Sequence, residues 1–181
     1  MAQLLSRLRR APERLFHARR RRRARAALAA RPRPRVVFVV CNGNICRSPF
    51  AAALLARALP GAHIESAGFV GPGRPVPREA LTAAARYGVD LFGHRSQLLT
   101  AERVRAAGLI VVMSPAHRRE ICDWFGRAAR NVVILGDLDP EPGESRTIRD
   151  PVGQPLAVFE ATYARIARCT RELTRAIADG E

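Results

Sequence analysis

The sequence predicts a single α/β domain: an open, doubly wound, four-stranded parallel sheet with helices on both faces and an anion-holding loop after the first strand. Three observations carry this. Short unbroken runs of β-branched residues alternate with stretches of helical spacing, which is the pattern of successive βαβ units. The first of these runs passes through a Gly/Asn loop directly into a helix start, the place where open α/β sheets hold ligands. The chain of 181 residues is long enough for one ordinary domain with a real core, of roughly 100 to 200 residues.

Residues 1–34 read as an Arg-rich N-terminal extension, expected to be flexible, ahead of a domain at 35–181. All 31 basic residues are Arg, and 13 of them fall in residues 1–35 against Glu13 alone. Residues 1–35 therefore hold +12 of the net +15, and the rest of the chain is nearly balanced. A block of like charges repels itself, which favours an extended chain in isolation. Leu4, Leu5, Leu8, Leu15 and Phe16 recur at near-helical spacing, so the alternative is an amphipathic helix formed against an anionic membrane or nucleic acid. Arg31-Pro32-Arg33-Pro34 closes the extension as a stiff linker.

The domain opens with Val36 to Val40, a buried-strand run that ends on Cys41. Ser48-Pro49 starts a helix through Leu59, with Ser and Pro where helix starts prefer them. His63 to Ser66 reads as the second strand, Arg78 to Tyr87 as a helix stopped by Gly88, and Leu98 to Ala107 as another helix. Leu109 to Met113 is the third strand, Pro115 to Phe125 a helix and Asn131 to Leu135 the fourth strand. The closing helix, Leu156 to Ala178, puts Leu156, Phe159, Tyr163, Ile166, Leu173 and Ile177 on or near one face. No apolar run reaches the ~18 to 20 residues of a membrane span, and no secretory signal core is present. The expected location is the cytoplasm, with membrane association only through the basic extension. Cys41, Cys46, Cys122 and Cys169 lack the paired spacing of a zinc site.

Residues 41–48, Cys-Asn-Gly-Asn-Ile-Cys-Arg-Ser, are the chemical centre. The backbone N–H groups of Asn42, Gly43, Asn44, Ile45, Cys46 and Arg47 can form a nest for phosphate. The helix start adds its partial positive charge, and Arg47 offers a planar fork for two phosphate oxygens. The same field favours an anionic sulfur at Cys41, placed to attack phosphorus. A lone Cys-x5-Arg spacing would mean little, because cysteine is commonly a small buried hydrophobe. The preceding strand, the residues tolerant of positive φ and the following helix supply the context. Such a displacement needs a proton donor for the leaving oxygen. Two Asp-Pro pairs qualify, Asp139-Pro140 and Asp150-Pro151, since proline stiffens the loop behind each. Asp150 is favoured because it precedes the closing helix on a loop able to fold over the site, whereas Asp139 directly follows a strand.

The run Val40-Cys41-Asn42-Gly43-Asn44-Ile45-Cys46-Arg47-Ser48-Pro49 resembles the signature loop of the low-molecular-weight protein tyrosine phosphatases. Ile64-Glu65-Ser66-Ala67-Gly68, Gly88-Val89-Asp90 with His94-Arg95, Ile110 to Met113, and the stretch from Leu135-Gly136 through Asp139-Pro140 to Asp150-Pro151 resemble further segments of the same family. The resemblance spans about residues 35 to 178. It implies Cys41 as nucleophile, Arg47 as phosphate clamp and Asp150 as general acid and base. Ser48 would hydrogen-bond the Cys41 sulfur, and Asn44 would hold the loop in a strained shape. Cys46 would form a reversible disulfide with Cys41, the bland alternative being a small loop-lining residue. His94 would be a structural hydrogen-bonder. The family implies no metal or organic cofactor, and a phosphorylated protein or small aryl phosphate as substrate.

Departures concern the substrate. Val152 stands where phosphotyrosine-specific relatives carry an aromatic after Asp-Pro, and Phe69 is the aromatic near the opposite rim. Relatives acting on phosphoarginine have Thr where this chain has Ile45. Ser114 replaces an acid found in some members. The resulting expectation is phosphomonoester hydrolysis, on protein phosphotyrosine, through a phosphocysteine. The alternatives are a thiol-coupled arsenate reductase, which needs a relay from Cys122 and Cys169, and an anion-sensing module tethered by the basic extension.

Overall fold

The structure, a computed structural model, describes residues 2–142 and 145–180, with side chains from Phe16 onward. Four parallel strands, β1 (Val36–Cys41), β2 (His63–Gly68), β3 (Leu109–Val112) and β4 (Val132–Ile134), form one sheet in the order β2-β1-β3-β4. β1 is thus central, and the connection from β2 to β3 crosses over it. The crevice beyond its carboxyl end is the switch point at which such sheets bind ligands.

Six helices flank the sheet: α1 (Ala2–Ala29), α2 (Arg47–Ala58), α3 (Arg78–Ala85), α4 (Ala101–Ala106), α5 (Pro115–Phe125) and α6 (Leu156–Ala178). The period of two along each strand sorts the core into two layers. Val37, Val39, Cys41, Leu109 and Val111 face the layer that includes Phe50, Phe159, Tyr163 and Ile166. Phe38, Val40, Ile110 and Val112 face the layer that includes Val104 and Ile121. Phe50 stacks on Tyr163 with ring centroids 4.0 Å apart, and this pair joins α2 to α6. The predicted apolar face of α6 is buried at Phe159, Tyr163, Ile166, Leu173 and Ile177.

Two element bounds differ from expectation for local reasons. The helix expected from Leu98 begins only at Ala101, because Leu98 bridges Gly68 beside the sheet and the Thr100 hydroxyl caps the Arg103 N–H at 3.3 Å. The helix expected to reach Tyr87 ends at Ala85, and Gly88 follows at φ 65, a backbone region glycine enters freely.

The extension also departs from the expected flexible arm. α1 is a continuous helix, and its C-terminal half docks on α6. Leu28 is fully buried in the core, while Arg21 and Arg25 pair with Glu172 and Arg25 reaches Asp179 at 2.9 Å. Charge repulsion within the arm is offset locally by these carboxylates, and burial of one leucine adds about 2 kcal/mol. The expected apolar stripe at Leu4, Leu5, Leu8 and Leu15 lies outside the described side chains, and Phe16 is exposed. Among the described residues no helix is long and apolar enough to cross a membrane.

Candidate active site

β1 delivers Cys41 to the carboxyl edge of the sheet, and the chain turns through residues 42–46 into α2. No side chain caps this helix, which leaves its first-turn N–H groups to an anion. The turn depends on Asn44, the non-glycine residue with positive φ (51°) among those described. Short polar side chains tolerate that region best, and here every polar group of Asn44 is engaged. Its N–H points at the Cys41 sulfur at 3.2 Å, and its side-chain amide donates to Ser48 Oγ and Ser66 Oγ, both at 2.9 Å. Its Oδ1 accepts from the Gln97 N–H at 2.8 Å, and its carbonyl meets His94 Nε2 at 2.8 Å. Ser48 Oγ completes the cluster 3.1 Å from Cys41 Sγ.

Gly68 at the end of β2 abuts the loop so closely that a Cβ there would lie 2.6 Å from the Asn42 carbonyl. That carbonyl accepts from the Phe69 and Val70 N–H groups instead. From the opposite side, the Tyr163 hydroxyl of α6 donates to the Cys46 carbonyl at 3.1 Å. Burial, with the adjacent thiols, drives the Tyr163 phenol upward, so it remains a neutral donor.

Arg47, 4% exposed, donates Nη1 to the Ile148 carbonyl at 3.1 Å and pairs through Nη2 with Asp150. The loop that carries Asp150 is anchored on the sheet by the Ile148 N–H bonding to the Met113 carbonyl at 2.9 Å. Asp150 accepts the Val152 N–H, as an aspartate before a turn does. Asp139 is placed quite differently. It is fully buried between Arg165 at 2.8 Å and Arg168 at 2.7 Å, which ties the same loop to α6.

Cys41, Asn42, Gly43, Ile45, Cys46, Arg47 and Asp150 line one cavity of about 90 Å³ together with Arg74 and Val152. Arg74 was not anticipated. Its guanidinium bonds the carbonyls of Gly43 (3.0 Å), Val70 (3.0 Å) and Gly71 (2.9 Å), bracing the loop from the rim. An arginine inside the turn-rich run Gly71-Pro72-Gly73-Arg74-Pro75 was the available signal.

His117 was also missed. It is buried in the first turn of α5, whose cap is Ser114 Oγ accepting the His117 N–H at 3.1 Å. That cap is a role for Ser114 which the sequence did not disclose. Burial first, then the Arg47 charge, push the His117 imidazole down to about 4, so it is neutral near neutrality. The Cys46 thiol is pushed up to about 12 by burial and then by Cys41 and Asp150. Cys41 and Cys46 are both free and buried. Phe69 does not line the cavity: its ring meets Trp124 at 5.6 Å and His117 at 5.4 Å.

The sequence profile of the family described as low molecular weight phosphotyrosine protein phosphatase matches residues 35–180. The chain belongs to the low molecular weight protein-tyrosine-phosphatase family. It is 40% identical over 135 residues to a Ralstonia solanacearum protein named "Probable low molecular weight protein-tyrosine-phosphatase EpsP", covering 74% of this chain and 90% of that one. The Erwinia amylovora tyrosine phosphatase amsI superposes with a TM-score of 0.72 at 32% identity, over 78% of this chain and 92% of the other. The YwlE arginine phosphatase of Geobacillus stearothermophilus superposes with a TM-score of 0.70 at 29% identity, over 79% and 92%. The protein is therefore a low molecular weight class protein-tyrosine-phosphatase, with the family's α/β fold. An arsenate reductase or a non-enzymatic sensor draws no support from these relatives. Within this phosphatase Cys169 is fully buried in α6, with its thiol pushed up to about 12 by burial and then by Asp139, and Cys122 is half-buried in α5. Neither sits on a loose segment of the kind a thiol relay needs.

Proposed function

We propose that this phosphatase hydrolyses protein phosphotyrosine through a phosphocysteine. The observation that carries the reading is the single small cavity in which the Cys41 sulfur, braced by Ser48 Oγ and the Asn44 N–H, shares walls with Arg47 and Asp150. A phosphoryl group entering there takes the guanidinium of Arg47 as a bidentate partner and frees Asp150 from its ion pair, so that its carboxylate takes up a proton from solvent before it acts as the acid. The Cys41 thiolate attacks phosphorus, the P–O bond breaks, and the Asp150 carboxyl gives its proton to the departing phenolic oxygen. The resulting Asp150 carboxylate then removes a proton from water. That water attacks phosphorus, the P–S bond breaks, and inorganic phosphate leaves with Cys41 restored as thiolate. Hydrogen bonding from Ser48 and Asn44 lowers the cost of the sulfur anion in this second departure, and Asn44 keeps the loop in its left-handed turn. The other loop residues, Asn42, Gly43, Ile45, Cys46 and Arg47, contribute backbone N–H groups to the phosphate oxygens, with Asn44 directing its own to the Cys41 sulfur.

Asp150 is favoured over Asp139 as the proton carrier because Asp139 is enclosed by two arginines and does not line the cavity. Ile45 on the cavity wall favours an aryl phosphate over phosphoarginine. Cys46, as a neutral buried thiol beside Cys41, is the partner for a protective disulfide once Cys41 is oxidised.

The test is turnover of aryl phosphates with graded leaving groups and of phosphotyrosine and phosphoarginine peptides. Cys41→Ser abolishes turnover, and Asp150→Ala lowers it about 10²- to 10⁴-fold, most for the poorest leaving groups. Full activity in Cys41→Ser would falsify the mechanism. A leaving-group dependence that appears in Asp139→Asn instead of Asp150→Ala moves the acid, and preferential cleavage of phosphoarginine refutes the substrate.

A further inference from the structure

α1 forms one wall of a second cavity, of about 380 Å³, at the open edge of the sheet beside β4. Its volume lies within the range of small-molecule sites, and it has no lining residue in common with the cavity of Cys41. Five arginines line it from four segments: Arg20 and Arg23 from α1, Arg118 from α5, Arg130 from the turn before β4, and Arg146 from the loop after it. Among the described residues one carboxylate, Asp137, lines it with them, and that carboxylate already accepts both Nε and Nη2 of Arg146 at 2.7 Å.

Arg23, Arg118 and Arg130 have no carboxylate partner among the described residues. Arg118 donates Nη2 to the Ala129 carbonyl at 2.9 Å, while its Nε is buried with no acceptor among the described residues. A buried donor without a partner is costly, and like charges gathered in one recess raise the cost unless an anion enters. Planar guanidinium forks spread over separate elements match several phosphate groups better than one. Between them the floor is apolar, made by Ala24, Ala27 and Val133.

We propose that this cavity binds an organic polyphosphate, with its phosphates on Arg23, Arg118 and Arg130 and its organic portion against the Ala24, Ala27 and Val133 floor. The family match begins at residue 35, so the site exists only where α1 is joined to the domain. It is independent of the catalytic reading: its ligand meets neither Cys41 nor Arg47.

Calorimetric titration of metal-free adenosine triphosphate and of inorganic tripolyphosphate into the full chain tests it, with Cys41→Ser as background so that nothing is turned over. The expected result is binding of the nucleotide more tightly than tripolyphosphate, weakened by salt. Adding Arg47→Ala should leave this affinity within about twofold, since that change disarms only the catalytic cradle. Adding Arg23→Gln with Arg118→Gln should weaken it about tenfold or more, at a ligand-free thermal melt that does not fall. Arg23→Glu alone, on an exposed position of α1, gives the same direction where the double variant does not fold. Binding that persists in the arginine variants, vanishes with Arg47→Ala, is equal for the two probes, or appears only with long nucleic acid overturns the proposal.

Discussion

At the level of single residues, the neutral imidazole of His117 gives the clearest pH signature. Its folded value of about 4 lies below the ~6.5 of an unfolded histidine. Between these values the unfolded chain binds a proton that the folded chain does not, so stability falls as pH drops from ~6.5 towards 4, by up to about 3 kcal/mol. Replacing His117 with Gln is expected to flatten this acid limb in thermal melts taken at pH 7, 6 and 5; an unchanged limb assigns the loss to other groups. The residues around Cys41 differ in how far they could be read beforehand. Cys41, Asn44, Cys46, Arg47 and Ser48 lie within eight consecutive positions, so one loop displays them together. Arg74 and Gln97 reach the same loop from separate segments, His117 lies where its imidazole feels the Arg47 charge, and only packing places them there. Asp150 and Asp139 share the same local signal, an aspartate before proline, and only Arg165 and Arg168 tell them apart.

At the level of elements, the contact between α1 and α6 rests on Glu172. Burial opposes ionisation of this carboxyl, but hydrogen bonding and charge from Arg21, then from Arg175 and Arg25, more than offset it and hold the group below the usual range. Its contribution is therefore complete above the unfolded value of ~4.3 and disappears as pH falls through the lower folded value. Glu172→Gln is expected to cost about 1 to 2 kcal/mol at pH 7. The gap to wild type should begin to narrow below about pH 4 and shrink further with acid, as urea melts at pH 7 and on this acid limb will report; an equal gap throughout would exclude the ion pair as its source. The strands and α6 were legible because their apolar periods of two and 3.6 appear directly in the chain. The docking of α1 was not, because neither Leu28 nor a run of arginines says which carboxylates wait for it 151 positions away.

For the whole molecule, charge is distributed so that the basic extension and the catalytic cradle are separate. Among the described residues, the hydrogen bonds around Cys41 come from positions between 41 and 163, and none comes from α1. Removing residues 1–34 is expected to leave aryl phosphate turnover within about twofold. Loss of the Leu28 contact, about 2 kcal/mol, should lower Tm by roughly 4 to 8 °C. Lost turnover in a truncated chain with an intact fold would show that α1 reaches the chemistry. The long separation between Arg21 and Glu172 also has a consequence in time. A ribosome adding about 5 to 20 residues per second needs roughly 8 to 30 s to make the 151 residues between them. Throughout that interval the arginine-rich segment has already been made, Glu172 and Asp179 have not, and the densest anionic surface beside it is the phosphate backbone of the ribosome. The segment translated early is among the last to find its place.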